Sequence, residues 1–263
     1  MGKNTLTKQY TLTPAAGKRL IAKAIVHIPE IQEALQQRTI VIVSGTTNGY
    51  VAEEILAHSK QLEGFSRERF FRGITLPPRY KVSQSGRLED GGTFTADVVI
   101  EKGKWIKDKS LFEIVNDLQE GDIIFKGANA VNLDTKQAAV LIGHPQAGTI
   151  GIIMQAVAGR RVSLYIPVGL EKRISANINE LAQLINSPQT KGIRYFPVTG
   201  NIITEIEAIH ILTQAHAVLF AAGGVSGAEG CVWLAVTGTE EQIQKTDGII
   251  ESVRYEDNFL LFK

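Results

Sequence analysis

The chain has 263 residues, 44% of them hydrophobic and 21% charged, enough to bury a full core as one large domain or two modest ones. Lys and Arg number 28 against 27 Asp and Glu, so no global charge draws the chain to nucleic acid or to a membrane surface. A lone cysteine, Cys231, excludes an internal disulfide framework and a thiolate-rich metal site, and no run approaches 18 uninterrupted apolar residues. With no apolar leader in Met1 to Thr7, a cytoplasmic protein is the expectation.

Thr13-Pro14 announces the first helix, an N-cap followed by proline at the first helical position. Leu20, Ile21, Ala24, Ile25 and Ile28 then recur at three- and four-residue spacing, and Pro29 breaks the helix before a second short one through Ile31 and Leu35. Thr39 to Val43 is a continuous β-branched run of the kind a doubly covered parallel strand needs. It runs into the polar loop Ser44 to Gly49, after which Tyr50, Val51, Ile55 and Leu56 resume helical spacing. From Ser66 to Gly86 the pattern loosens around Pro77-Pro78. Arg67, Arg69, Arg72, Arg79 and Lys81 there read either as a solvated loop or as an electropositive wall for an anion.

Ala96 to Ile106 alternates and turns near Lys102-Gly103, as a β-hairpin does. Ser110 and Glu113 form a capping box for a helix to Leu118. Ile123 to Phe125 reads as a buried strand that enters the polar turn Lys126 to Asp134. Ligands bind at the carboxyl ends of strands in an open α/β sheet, so a lysine, a glycine and two asparagines delivered there suggest a pocket. A strand at Ala138 to Ile142, a helix from Gly148, a strand at Val162 to Ile166 and a helix from Ile178 to Ile185 continue the alternation. The pattern predicts an α/β fold, a mostly parallel, Rossmann-like sheet with helices on both faces, over residues 1–190.

Residues 191–263 change rhythm. Strands at Ile193 to Val198, His216 to Ala221, Cys231 to Val236 and Phe259 to Phe262 alternate with helices from Thr204 and Thr239. That order, βαββαβ, predicts a ferredoxin-like α+β lobe.

The loop Ser44, Gly45, Thr46, Thr47, Asn48 is the best local signal for a site. Amides at a helix N-terminus and its dipole favour an anion, and two hydroxyls add donors. Plain helix capping by Thr47 or Asn48 is the competing account. It is no Walker loop, since the Gly-Lys-Ser/Thr ending is missing. The Gly-rich stretch Gly223 to Gly230 carries Glu229 and joins two strands as a flexible loop or a phosphate nest. The five histidines lack metal-ligand spacing, Cys231 reads as a small buried hydrophobe, and Glu205 and Glu207, two apart, face different ways on a helix.

Two segments carry a resemblance. Ile42 to Asn48 resembles the Ser/Thr-Gly phosphate loop of ribose-5-phosphate isomerase and, more closely, the Ser-Gly-Thr-Thr segment in the sugar-sensing domain of DeoR-type repressors. Phe125 to Asp134 is similar to the second motif of that isomerase, CoA-transferase and repressor-sensor superfamily. The resemblance implies a sugar-phosphate-type fold and a phosphate site. The carboxylates that the isomerases use fall here on Lys126 and Asn129, and asparagine does not titrate. The residues before the first expected strand, split by Pro29, leave little room for a helix-turn-helix, so no nucleic-acid partner is expected. The leading expectation is a binder of a small anionic metabolite, phosphorylated or of coenzyme A type. Ser44, Gly45, Thr46, Thr47 and Asn48 would cradle the anion, Lys126 and Gly127 would meet it, and Asn129 would orient a hydroxyl or carbonyl. The alternative is an enzyme of the same superfamily, an isomerase, hydrolase or CoA transferase with Lys126 or Glu229 as its reactive group. A homo-oligomeric assembly role is a third reading. No metal, cofactor or membrane partner is expected.

Overall fold

A computed structural model describes residues 5–72, 75 and 96–259. It begins with a strand the periodicity does not announce, β1 (Thr5–Leu12), in which only Tyr10 and Leu12 are buried. Thr13 then caps α1 (Pro14–Ile25), accepting from Ala16 N at 3.1 Å, and Pro29 opens α2 (Pro29–Gln37). Next come β2 (Thr39–Ile42), α3 (Thr46–His58) and a 3-10 turn at Arg67–Arg69. The hairpin is β3 (Val98–Glu101) and β4 (Lys104–Ile106), with Lys102 and Gly103 at φ 47° and 81° in the left-handed turn that matches strand twist. The chain continues as α4 (Leu111–Ile114), β5 (Ile123–Phe125), β6 (Ala130–Asn132), β7 (Gln137–Ile142), α5 (Gly148–Arg160) and β8 (Ser163–Pro167). A second 3-10 turn at Leu170–Lys172 precedes α6 (Ile178–Ile185), β9 (Arg194–Val198) and β10 (Asn201–Ile203). The last described elements are α7 (Glu205–Thr213), β11 (His216–Ala222), β12 (Val232–Thr239) and α8 (Glu240–Val253).

The fold is α/β. Its centre is a mixed six-stranded sheet in the order β10-β8-β5-β2-β3-β4, flanked by two small antiparallel sheets, β1-β12-β11 and β6-β7-β9. β10, β8, β5 and β2 run parallel, while β3 and β4 are antiparallel. Period-two alternation divides the apolar side chains between two cores. Ile40, Ile42, Ile123 and Phe125 face the first core, with Leu20, Ile21, Ile55 and Ile209 from α1, α3 and α7. Val41, Val43, Ile124 and Leu164 face the second, with Leu111, Ile153 and Val140 from α4, α5 and β7. Both faces are therefore covered, which is why these strands are continuous apolar runs.

Several sequence expectations are corrected. Residues Lys126 to Asp134 are not one polar turn. Ala130 and Val131 are buried and pair with β7, and the asparagines serve the backbone locally, as when Asn132 Oδ1 accepts from Thr135 N at 2.9 Å. The β7 strand lies outside the main sheet, paired with β6 and β9. The four strands of a ferredoxin-like lobe do not share a sheet. Of those expected, β9 pairs with β7. An additional short strand, β10, extends the parallel sheet beside β8, whereas β11 and β12 pair with each other and β12 also with β1. β1 wins that place because it lays Tyr10 and Leu12 on the apolar face that α8 and α7 cover. Phe259 is not in a strand, and residues 260–263 lie outside the described residues. The helix opened by Ser110 stops at Ile114 instead of Leu118.

Candidate functional site

Two predicted segments meet at the carboxyl ends of neighbouring parallel strands. Val43 N donates to Phe125 O at 3.0 Å, and the buried Asn48 side chain donates from Nδ2 to both Val43 O (2.7 Å) and Phe125 O (3.0 Å). Asn48 thereby ties the end of β2 to the end of β5, and its amide nitrogen is committed to that task. Gly49 N is the first amide of α3 that bonds back within the helix, to Gly45 O, so the amides ahead of it face out of the helix end. Ser44 Oγ and Thr47 Oγ1 are buried with no hydrogen-bond partner among the described residues, as is Asn48 Oδ1. Buried polar atoms are rarely left unpaired, so three together mark this loop as a place that something else completes.

Lys126 is the first residue beyond β5. Its backbone is pinned by Lys126 N donating to Tyr165 O at 3.0 Å, and among the described residues its half-buried side chain bonds only Gly127 O, at 3.2 Å. Burial lowers its pKa to about 8. The charges of Arg72 and Lys172 push the same way and Asp97 opposes them. Arg72 lies just beyond the 3-10 turn Arg67–Arg69 and donates to both oxygens of the fully buried Asp97, at 3.0 and 3.2 Å. Asp97 also accepts from Ser44 N and Leu111 N, each at 2.9 Å. It is fully engaged as the post that holds the anion loop, Arg72 and the start of α4.

The next strand ends supply a second group of charges. After β8 come Glu171 and Lys172, and after β10 comes Glu205, only 1% exposed at the start of α7. Glu205 Oε2 accepts from Leu170 N at 2.9 Å, and Lys18 of α1 lies 3.7 Å from Glu171. Two glycines make room for the carboxylates. A Cβ at Gly17 would lie 2.2 Å from Glu205 Oε1, and one at Gly169 would lie 1.9 Å from Glu171 Oε2. Glu171 Oε2 has no hydrogen-bond partner among the described residues. Burial, and then the charge of Glu171, raise the Glu205 carboxyl to about 8, so it is a neutral acid at pH 7. Burial also lowers the Lys172 pKa, with Lys18 adding to it, while Glu171 and Glu205 favour its charge.

A row of charged side chains thus runs across the ends of β2, β5, β8 and β10, from Asp97 and Arg72 through Lys126 and Lys172 to Lys18, Glu171 and Glu205. Four cations face three acids, one of them protonated, so the row is net positive.

Of the residues expected here, Ser44, Gly45, Thr46, Thr47, Asn48, Lys126 and Gly127 come together. Asn129 is exposed, and its Oδ1 accepts from Leu141 N at 3.1 Å, which serves the β6–β7 hairpin. Glu229 is exposed in the β11–β12 loop and accepts from Gly227 N at 2.9 Å; its charge is felt at Cys231, whose thiol burial also pushes up. Of the basic stretch, Arg72 reaches the site, whereas Arg67 lies over Tyr50 beside Glu53 and Glu256. Arg79 and Lys81 lie outside the described residues. Sequence reasoning missed Lys18, Asp97, Glu171, Lys172 and Glu205. The available signal was position, since Glu171, Lys172 and Glu205 each follow the end of a parallel strand. Glu205 and Glu207 do face apart, as expected. Glu207 caps Thr204, and the partner of Glu205 comes from another strand end.

An apolar groove of about 280 Å³ between α7 and the start of β11, lined by Ile203, Ile206, Ile211 and Ala217, holds none of the predicted site residues. No three metal-ligating side chains gather among the described residues, and none of their helices is long and apolar enough to cross a membrane. Compared with known proteins, the chain matches no family model, no curated protein and no solved structure.

Proposed function

We propose that the chain binds a small anionic metabolite, phosphorylated or of coenzyme A type, at the carboxyl ends of β2, β5, β8 and β10, in the cytoplasm. One observation carries this reading. Lys126 and Lys172 are half-buried cations without a carboxylate ion pair among the described residues, beside the unpartnered hydroxyls of Ser44 and Thr47. An anion would neutralise the cations and accept from the hydroxyls and the α3 amides at once. The resemblance of Ile42 to Asn48 and of Phe125 to Asp134 to the isomerase, CoA-transferase and repressor-sensor superfamily supports the same ligand class. On this reading residues 1–190 hold the sugar-phosphate-type unit, and neither nucleic acid nor a membrane is a partner.

A thermal-shift panel of sugar phosphates, coenzyme A thioesters and inorganic phosphate tests it. A ligand at 100 times its dissociation constant adds about 2.7 kcal/mol, a rise of several degrees for a chain of this size. Lys126→Met is expected to weaken binding by about 1.5–3 kcal/mol, the scale of a charge-assisted contact. A panel without response, or a response unchanged in Lys126→Met, removes the reading.

A second reading is an enzyme of the same superfamily. The observation favouring it is the Glu171–Glu205 pair, in which one carboxyl is held protonated beside another, as acid–base chemistry requires.

A further inference from the structure

We infer that Lys126 is a nucleophile: its Nζ condenses with the carbonyl of a small anionic aldehyde or ketone to form an imine, while Arg72 and Lys172 hold the substrate's anionic group. The inference rests on the anion-binding reading and names its substrate class.

The geometry is that of a fixed amine without a carboxylate ion pair among the described residues. The Lys126 backbone is set by its bond to Tyr165 O, and the preceding carbonyl, Phe125 O, accepts from both Val43 N and Asn48 Nδ2. From that post the side chain makes one hydrogen bond among the described residues, a 3.2 Å contact to the carbonyl of the next residue. A lysine that serves as a structural cation has a carboxylate. Among the described residues the carboxylate that favours its charge, Asp97, is already occupied by Arg72, Ser44 N and Leu111 N. Arg72 and Lys172 flank the amine, and cationic neighbours together with desolvation are what turn a lysine into a nucleophile. With its pKa lowered to about 8, roughly a tenth of Lys126 is the free amine at pH 7, against less than a thousandth for an ordinary lysine.

The step balances within the site. The neutral Nζ attacks the carbonyl carbon, a C–N bond forms, and the C=O π pair moves to oxygen, which takes a proton from the attacking nitrogen. The C–O bond of this carbinolamine then breaks. The hydroxyl leaves as water with a proton from the Lys172 ammonium, and the nitrogen lone pair completes the protonated imine. Lys172 recovers its proton from solvent. Burial lowers the pKa of Lys172, which eases release of its proton, and the charge of Glu171 opposes that shift. No oxidant, reductant or cofactor enters.

Borohydride trapping tests this on the full chain. Glyoxylate, pyruvate and dihydroxyacetone phosphate are each added with sodium borohydride, and the reduced adduct is located by peptide mass mapping. Exposed Lys104 serves as the internal reference. Lys126 is expected to label at least tenfold faster than Lys104 with one of these probes, at a rate that rises through pH 8. Glycerol 3-phosphate or lactate, which carry no aldehyde or ketone, should suppress the labelling. Lys126→Arg should lose the adduct yet keep a thermal shift with inorganic phosphate, and Lys172→Gln should slow trapping. Labelling of Lys126 no faster than Lys104, with the phosphate shift intact, overturns the inference and leaves the anion site standing. Absence of both overturns inference and anion site together. Selective labelling without any anion shift removes the anion reading and, with it, the role given to Arg72 and Lys172, so the inference as stated is overturned and only a reactive amine is left.

Discussion

Glu205 shows how a single position can be half legible. Its place on α7 follows from the Thr204 cap, and its inward direction follows from helical geometry. What it meets, Gly17 of α1 and the Glu171 turn, comes from sequence positions 188 and 34 residues away. The consequence is measurable. Its folded pKa stands at about 8 against an ordinary 4.5, so between those values the folded chain holds more protons than the unfolded one. Stability from this group is therefore full below about pH 4.5 and is lost as pH rises to 8. Lys18, Glu171 and Lys172 are the charges facing it. Urea midpoints for the wild type and Glu205→Gln, taken from pH 5 to 9, should diverge in favour of the variant as pH rises and then run parallel above 8. A constant difference would mean that Glu205 does not hold its proton. Lys126 was legible for a plainer reason, since a cation placed straight after a buried strand has nowhere to go but the strand end.

Elements follow local physics where burial is complete and escape it where burial is partial. Thr39 to Ile42 and Ile123 to Phe125 are buried on both faces, and their composition alone makes them strands. Thr5 to Leu12 buries two side chains in eight, so no period stands out, and its pairing with β12 joins residues more than 200 positions apart. Which sheet a strand joins is a non-local choice, and that is why β7 and β9 were placed correctly as strands but assigned to the wrong neighbours, while the three-residue β10 was not expected at all. The role of β1 can be weighed by two substitutions on one face. Leu12 is 1% exposed and Leu6 is 41% exposed, beyond the reach of the helices. Leu12→Ala should cost about 2–5 kcal/mol in urea unfolding, as other buried leucines do. Leu6→Ala should stay within about 0.5 kcal/mol. Equal small losses would mean that β1 is dispensable to the core.

At the scale of the molecule, the site draws on distant stretches of chain: Lys18, Ser44, Arg72, Lys126, Lys172 and Glu205. A ligand that bridges them binds only the folded state, so its free energy should appear wherever folding is cooperative with the site. The main sheet must respond. Whether β11 and β12 respond as well depends on how residues 191–263 are tied to the rest. Besides the β7–β9 ladder and the packing of α1 on α7 and α8, three ties stand out. β1 forms an eight-residue ladder with β12, β10 belongs to the main sheet, and Glu205 at the head of α7 reaches back to Leu170. Each would have to break before β11 and β12 could unfold alone. Native-state hydrogen exchange can read this directly. With inorganic phosphate at 100 times its dissociation constant, the amides of Val41, Ile124 and Leu164 should slow about 100-fold, the equivalent of about 2.7 kcal/mol. Leu234 and Val236 of β12 should slow by the same factor, because the ladder to β1 and the Glu205 contact make their opening part of the global one. Slowing confined to the first three would show that the C-terminal residues open independently, with β1 peeling away from β12 at little cost.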